Sequence, residues 1–156
     1  MKPAATKTNA LRLLDAAGIP YETREYEYDE ADPCATADPA LREQMFKTLV
    51  TRGERQGILV FCIPVDQELD LKKCAAAAGD KRIEMIRQKE LLPLTGYIHG
   101  GCSPVGMKKK FPTWFDETAM LYDAIYVSAG QRGLQMAVAP DALAAFVDGV
   151  YADITK

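Results

Sequence analysis

The first periodic stretch of the chain sets Leu11, Leu14 and Ala17 at helical spacing between Asn9, a residue that caps helices, and Gly18, which suits a helix end needing positive φ. This predicts a first helix. After Pro20, Tyr21 and Thr23 alternate in one phase and Tyr26 and Tyr28 in the other, so a strand is expected over Tyr21 to Tyr28 with an irregularity near Arg24 and Glu25. Asp29 to Pro39 is polar and proline-bearing, hence a loop. Asp38 before Pro39 then opens a short helix through Leu41 to Gln44. Phe46 to Thr51 and Ile58 to Val65 read as strands joined by a long polar turn, Arg52 to Gly57. The second is so continuously apolar that it suits burial on both faces.

Leu71, Ala75 and Ala78 share one helical face between Asp70 and Gly79, which predicts a helix over Leu71 to Ala78. Ile83 to Gln88 suits a short strand leading into another helical turn. Gly96 to Gly106 is glycine-rich, and the basic run Lys108 to Lys110 precedes an extended Phe111 to Phe115. Ala124 to Ser128 and Leu134 to Val138 flank a glycine-bearing turn and form a second hairpin, and Pro140 with Asp141 starts a last helix to about Val147. There is no internal repeat. Helices and strands alternate, which points to one α+β or mixed α/β domain over 1–156.

Length and composition agree with that reading, since 156 residues, 48% of them apolar, suffice for one core. No run approaches the roughly 18 apolar residues of a membrane span, and no signal core precedes Asn9, so a cytoplasmic protein that does not engage membranes is expected. The four cysteines, Cys34, Cys62, Cys74 and Cys102, form no CxxC pair and have no histidine at zinc spacing. Reduced thiols, no metal and no cofactor are the expectation. With a formal charge of -3, contact with nucleic acid would have to rest on a local basic patch.

Four features could carry chemistry. His99-Gly100-Gly101-Cys102-Ser103 sets the one histidine beside a thiol and suggests a cysteine hydrolase, although such dyads are usually assembled by the fold rather than by adjacency. Lys47, on a strand face shared with Leu49, is either a partly desolvated cation for a carbonyl or phosphate or a snorkelling surface lysine. The loop Gly100 to Gly106 either presents backbone amides to an oxygen or is a tight connection between strands. Lys108 to Lys110 with Phe111 and Trp114 either grips a nucleic-acid end or guards an edge strand.

Taken in order, Thr8-Asn9-Ala10 with Leu13-Leu14, Phe46-Lys47-Thr48-Leu49, Leu69 to Lys73, Lys81 to Met85 and Thr95-Gly96-Tyr97 form a pattern. It continues through Gly100 to Gly106 with Lys108-Lys109, Ile125-Tyr126-Val127-Ser128, Arg132-Gly133-Leu134 and Ala152-Asp153-Ile154. The pattern resembles the YbaK/EbsC family of editing deacylases, relatives of the editing domain inserted in bacterial prolyl-tRNA synthetases. That resemblance implies a mixed, partly barrel-like sheet flanked by helices and a pocket for the aminoacylated 3′ end of tRNA. It also implies removal of cysteine misattached to the tRNA for proline, with prolyl-tRNA synthetase as a further partner. By position, Lys47 and Thr48 would hold the terminal adenosine and amino acid, Gly101 would offer backbone contacts to the oxyanion, and Ser128 would stand near the substrate. Gly100, Ser103 and Pro104 would shape the loop, and Tyr21 and Tyr28 the pocket walls. Attack would come from the substrate's own thiol, so no enzyme nucleophile is required.

Two positions depart from the family pattern: Cys102 replaces an aliphatic residue, and Ala129-Gly130-Gln131 replaces Gly-Gly-Lys. Both bear on amino-acid specificity more than on reaction class. The rival readings are a non-catalytic tRNA-binding or assembly module of the same fold and the Cys102/His99 hydrolase.

Overall fold

The computed structural model describes residues 7–32 and 38–156. Cys34 and the middle of the loop expected over Asp29 to Pro39 lie outside them. The helices are α1 (Asn9–Ala16), α2 (Leu71–Ala78), α3 (Leu91–Thr95) and α4 (Pro140–Val147). The strands are β1 (Glu22–Glu25), β2 (Phe46–Gly53), β3 (Gly57–Pro64), β4 (Ile83–Met85), β5 (Thr113–Asp116), β6 (Ile125–Gln131), β7 (Leu134–Val138) and β8 (Val150–Ala152). Short 3-10 turns occupy Pro39–Gln44, Gln88–Glu90 and Glu117–Leu121.

The strands form two sheets, ordered β1-β7-β6 and β4-β2-β3-β5-β8. The first is antiparallel, whereas the second changes to parallel pairing at β3-β5-β8. Among the described residues a single bridge, between Met45 and Tyr126, connects them. The curvature expected of a partly barrel-like sheet is therefore not carried to a closed barrel. An opening is left between β2 and the small sheet.

Strand β3 explains the layering. Val60 and Cys62 face a large core with α1, α4 and the small sheet, while Leu59, Phe61 and Ile63 face a second core under α2. All five are fully buried, as the continuous apolar run Ile58 to Val65 predicts. Its partner β2 is buried less at Lys47, Thr48 and Leu49, because β4 pairs only with Thr51 to Gly53. The early part of β2 is thus left as a wall of the opening.

Several local expectations need correction. The cap of α1 is Thr8 rather than Asn9, its hydroxyl accepting from the Leu11 N–H at 3.2 Å. The expected strand Tyr21 to Tyr28 ends at Glu25, and beyond it the Tyr26 N–H donates to the Gly133 carbonyl. The turn after β2 is not long: pairing continues to Gly53 with Gly57, leaving only Glu54 to Gln56 between them. Strand β8 carries no strong apolar alternation in the sequence, and the edge of β5 recruits it.

Candidate active site

The opening between β2 and the small sheet is a cleft of about 630 Å³. The start of β2 supplies Phe46, Lys47, Thr48 and Leu49, the glycine-rich loop supplies His99, Gly100 and Cys102, and the hairpin β6-β7 supplies Ser128 and Gln135. Tyr26, Asp32, Arg42, Asp66 and Leu91 of α3 complete the lining. Segments far apart in sequence thus converge on one hollow, as expected of small-ligand sites.

Lys47 is half-buried and forms no hydrogen bond or ion pair among the described residues. Its charge is nonetheless felt by Asp66, whose carboxyl is held below the usual carboxylate range by the Arg42 guanidinium first and more weakly by Lys47. Arg42 donates through Nε to Asp66 at 2.9 Å and through Nη2 to Asp32 at 3.2 Å. That double pairing engages Arg42, whereas Lys47 has no ion pair among the described residues.

Thr48 and Ser128 bring hydroxyls to the floor. Thr48 Oγ1 lies 3.6 Å from Cys62 Sγ. Ser128 sits where β6 bulges, and its Oγ accepts from the Gly130 N–H at 3.1 Å, so its own proton remains available to a ligand. Directly across the ladder stands Gln135, nearly fully buried and lining the cleft. Sequence reasoning missed Gln135, although a lone amide in the apolar run Leu134 to Val138 was the available signal.

The loop differs from expectation in detail. The Gly101 N–H donates to the Ile98 carbonyl at 3.0 Å, so this amide is already used within the turn. What Gly101 contributes is closeness: a methyl group there would come 3.1 Å from the Arg132 backbone nitrogen, so glycine lets the loop rest on the hairpin turn. Gly100 has φ +86° and would clash with the Tyr28 ring at 2.5 Å if it carried a side chain. Tyr28 in turn lies 4.7 Å beneath the Arg132 guanidinium, whose Nε donates to the His99 carbonyl. Tyr28 therefore stands behind the Gly100 wall rather than on the surface of the cleft.

Three expected residues are placed elsewhere. Tyr21 packs beside α1 and the Lys7–Asp15 pair. Ser103 is fully buried and its Oγ accepts from the Val105 N–H, which makes it a turn-builder. Pro104 lines a separate hollow of about 250 Å³. The Cys102/His99 pair is also not assembled as a dyad. Both line the cleft, but no hydrogen bond joins them, and burial pushes the Cys102 thiol up to about 12. A nucleophilic cysteine needs the opposite shift. No group of three or more potential metal ligands occurs among the described residues.

The model of the aminoacyl-tRNA editing domain family matches residues 30–146, a span that includes nearly every cleft residue. The chain belongs to that family. It is 46% identical, over 99% of its length and 96% of the relative's, to an Enterococcus faecalis protein provisionally named Cys-tRNA(Pro)/Cys-tRNA(Cys) deacylase EbsC. A proline–tRNA ligase of Thermosipho africanus is 35% identical over 42% of this chain and 12% of the ligase. A crystal structure described as a trans-editing enzyme for prolyl tRNA synthetase shares the fold, with a TM-score of 0.76, 24% identity, and coverage of 97% of this chain and 99% of that one. The family inferred from the dispersed motifs is the one found, and its fold is mixed α/β. No helix among the described residues is long and apolar enough to cross a membrane.

Proposed function

We propose that this editing domain, working as one unit over 1–156 in the cytoplasm, removes cysteine esterified to the tRNA for proline. The observation that carries the reading is the convergence of Lys47, Thr48 and Ser128 on one cleft in which burial pushes the Cys102 thiol up, away from the thiolate a cysteine hydrolase needs. The 46% identical relative, named for Cys-tRNA deacylation, supports the choice of amino acid. Prolyl-tRNA synthetase is the corresponding partner.

In this reading the substrate thiol supplies the attack. Its sulfur bonds to the ester carbonyl carbon, the carbon–oxygen bond to the ribose breaks, and the ribose oxygen ends with the proton that the thiol gave up. The products are a cyclic thioester, which water opens, and tRNA with a free 3′ hydroxyl. Oxygen charge builds on the carbonyl as sulfur adds. In this reading the Lys47 ammonium and the Ser128 hydroxyl donate to it, and the Gly101 amide, engaged with Ile98, instead holds the loop in position. Confining the thiol and ester together converts a slow encounter into an oriented one.

Deacylation of a panel of tRNAs carrying cysteine, serine or alanine tests the reading. Cysteine should leave much faster, because a thiol with an ordinary pKa near 8.5 is partly ionised at neutral pH whereas a serine hydroxyl is not. Faster loss of alanine would contradict it.

A further inference from the structure

We infer that the segment 86–111 is the track on which the phosphate backbone of the tRNA acceptor end lies, a deduction that rests on the deacylase reading of the cleft. Arg87, Lys89, Lys108, Lys109 and Lys110 stand there against one acid, Glu90, so the segment carries +4 in a chain whose total is -3. The same segment supplies Leu91, His99, Gly100 and Cys102 to the cleft. The positively charged stretch of the chain is thus continuous in sequence with residues of the cleft, although its cations stand outside the cleft lining.

The fold draws these cations onto one strip. The 3-10 turn Gln88–Glu90 runs directly into α3, and Lys108 lies along the end of that helix, its N–H donating to the Thr95 carbonyl at 3.1 Å and its Nζ to the Pro93 carbonyl at 3.4 Å. Lys109 stands at the rim of the neighbouring 250 Å³ hollow. Two of the local charges are spent within the protein, since Glu90 pairs with Arg52 and Lys110 with Asp148. Lys89 and Lys109 are exposed and form no ion pair among the described residues, while Lys108 bonds only a neutral carbonyl.

The cleft lining itself argues for the same direction. Its charged residues are Asp32, Asp66 and Glu68 against Arg42 and Lys47, a balance of -1. A nucleic-acid duplex carries one negative charge per roughly 1.7 Å of axis, so an acceptor stem is drawn to the +4 segment rather than to that lining. Trp114 takes no part: it stacks on Phe61 with ring centroids 5.1 Å apart, against the second core.

The test is the pair Lys89→Ala and Lys109→Ala, singly and combined, with full-length Cys-tRNA(Pro) and with a cysteinylated cytidine-cytidine-adenosine trinucleotide that ends before the stem. The double variant should raise KM for the full-length substrate roughly tenfold without changing kcat, and should lower the slope of log affinity against log salt by about one per lysine. Turnover of the trinucleotide should be unaltered. Binding of uncharged tRNA, read by fluorescence anisotropy, should weaken in parallel; this readout stands even if the unaltered protein cleaves neither ester, a result that would count against the deacylase reading alone. Unchanged tRNA affinity and salt slope in the double variant, or equal losses on both substrates, would overturn the assignment of the track.

Discussion

Lys47 owes its availability to its neighbours rather than to its own surroundings. Arg42 pairs with both Asp32 and Asp66, and among the described residues no carboxylate pairs closely with the lysine at the cleft wall. Replacing it with alanine should lower kcat/KM for the cysteinyl ester by roughly ten- to a hundredfold, the equivalent of one charge-assisted hydrogen bond of about 1.5–3 kcal/mol. Thermal stability should barely change, which a melting curve alongside the kinetics would show. Cys102 gives the complementary case. Its thiol is pushed up to about 12 by burial, so Cys102→Ser should retain most of the activity; loss by several orders of magnitude with an intact circular dichroism spectrum would restore the cysteine-hydrolase reading. Proximity of His99 and Cys102 in sequence suggested a dyad, but spacing does not say which way a side chain points. The same limit hid the use of the Gly101 amide, which depends on a turn closing to Ile98.

At the level of elements, what was legible depended on whether local pattern or distant pairing fixes the structure. Helix α2 was readable end to end because Asp70 caps it through the Lys72 and Lys73 N–H groups and Gly79 closes it at φ +69°. Strand β3 was readable because its burial on both faces leaves no polar alternation. Strand β1 was not: all four of its residues are exposed, and its limits are set by pairing with β7. The end of the chain was equally opaque, since it is held by tertiary contacts. Asp116, almost completely buried at the end of β5, accepts from the Thr118 N–H at 3.2 Å and from the Ile154 N–H at 3.3 Å, tying β5 to the C-terminal segment. Asp116→Ala would leave the buried Ile154 amide unpaired and should cost about 2–3 kcal/mol, measured by urea unfolding. A change below about 0.5 kcal/mol would show that this tie is replaced by water.

For the whole molecule, two sheets bridged at Met45 and Tyr126 leave the cleft, and of the residues that the family resemblance read from dispersed motifs singled out, Lys47, Thr48, Gly100 and Ser128 line it. Those motifs did not reveal Gln135 or the Arg42 pairs, which become part of the cleft only when distant segments are folded together. The central claim is that the cleft orients a substrate that attacks itself. Its most direct measurement is single-turnover deacylation of Cys-tRNA(Pro) beside the same tRNA carrying S-methylcysteine, with the affinity of both determined. S-methylation removes the nucleophile while adding one carbon to a cleft of about 630 Å³, so binding should be nearly equal and cleavage of the methylated ester should fall to the uncatalysed rate. Comparable cleavage of the two esters would contradict the account and would require an activated water in place of the substrate thiol.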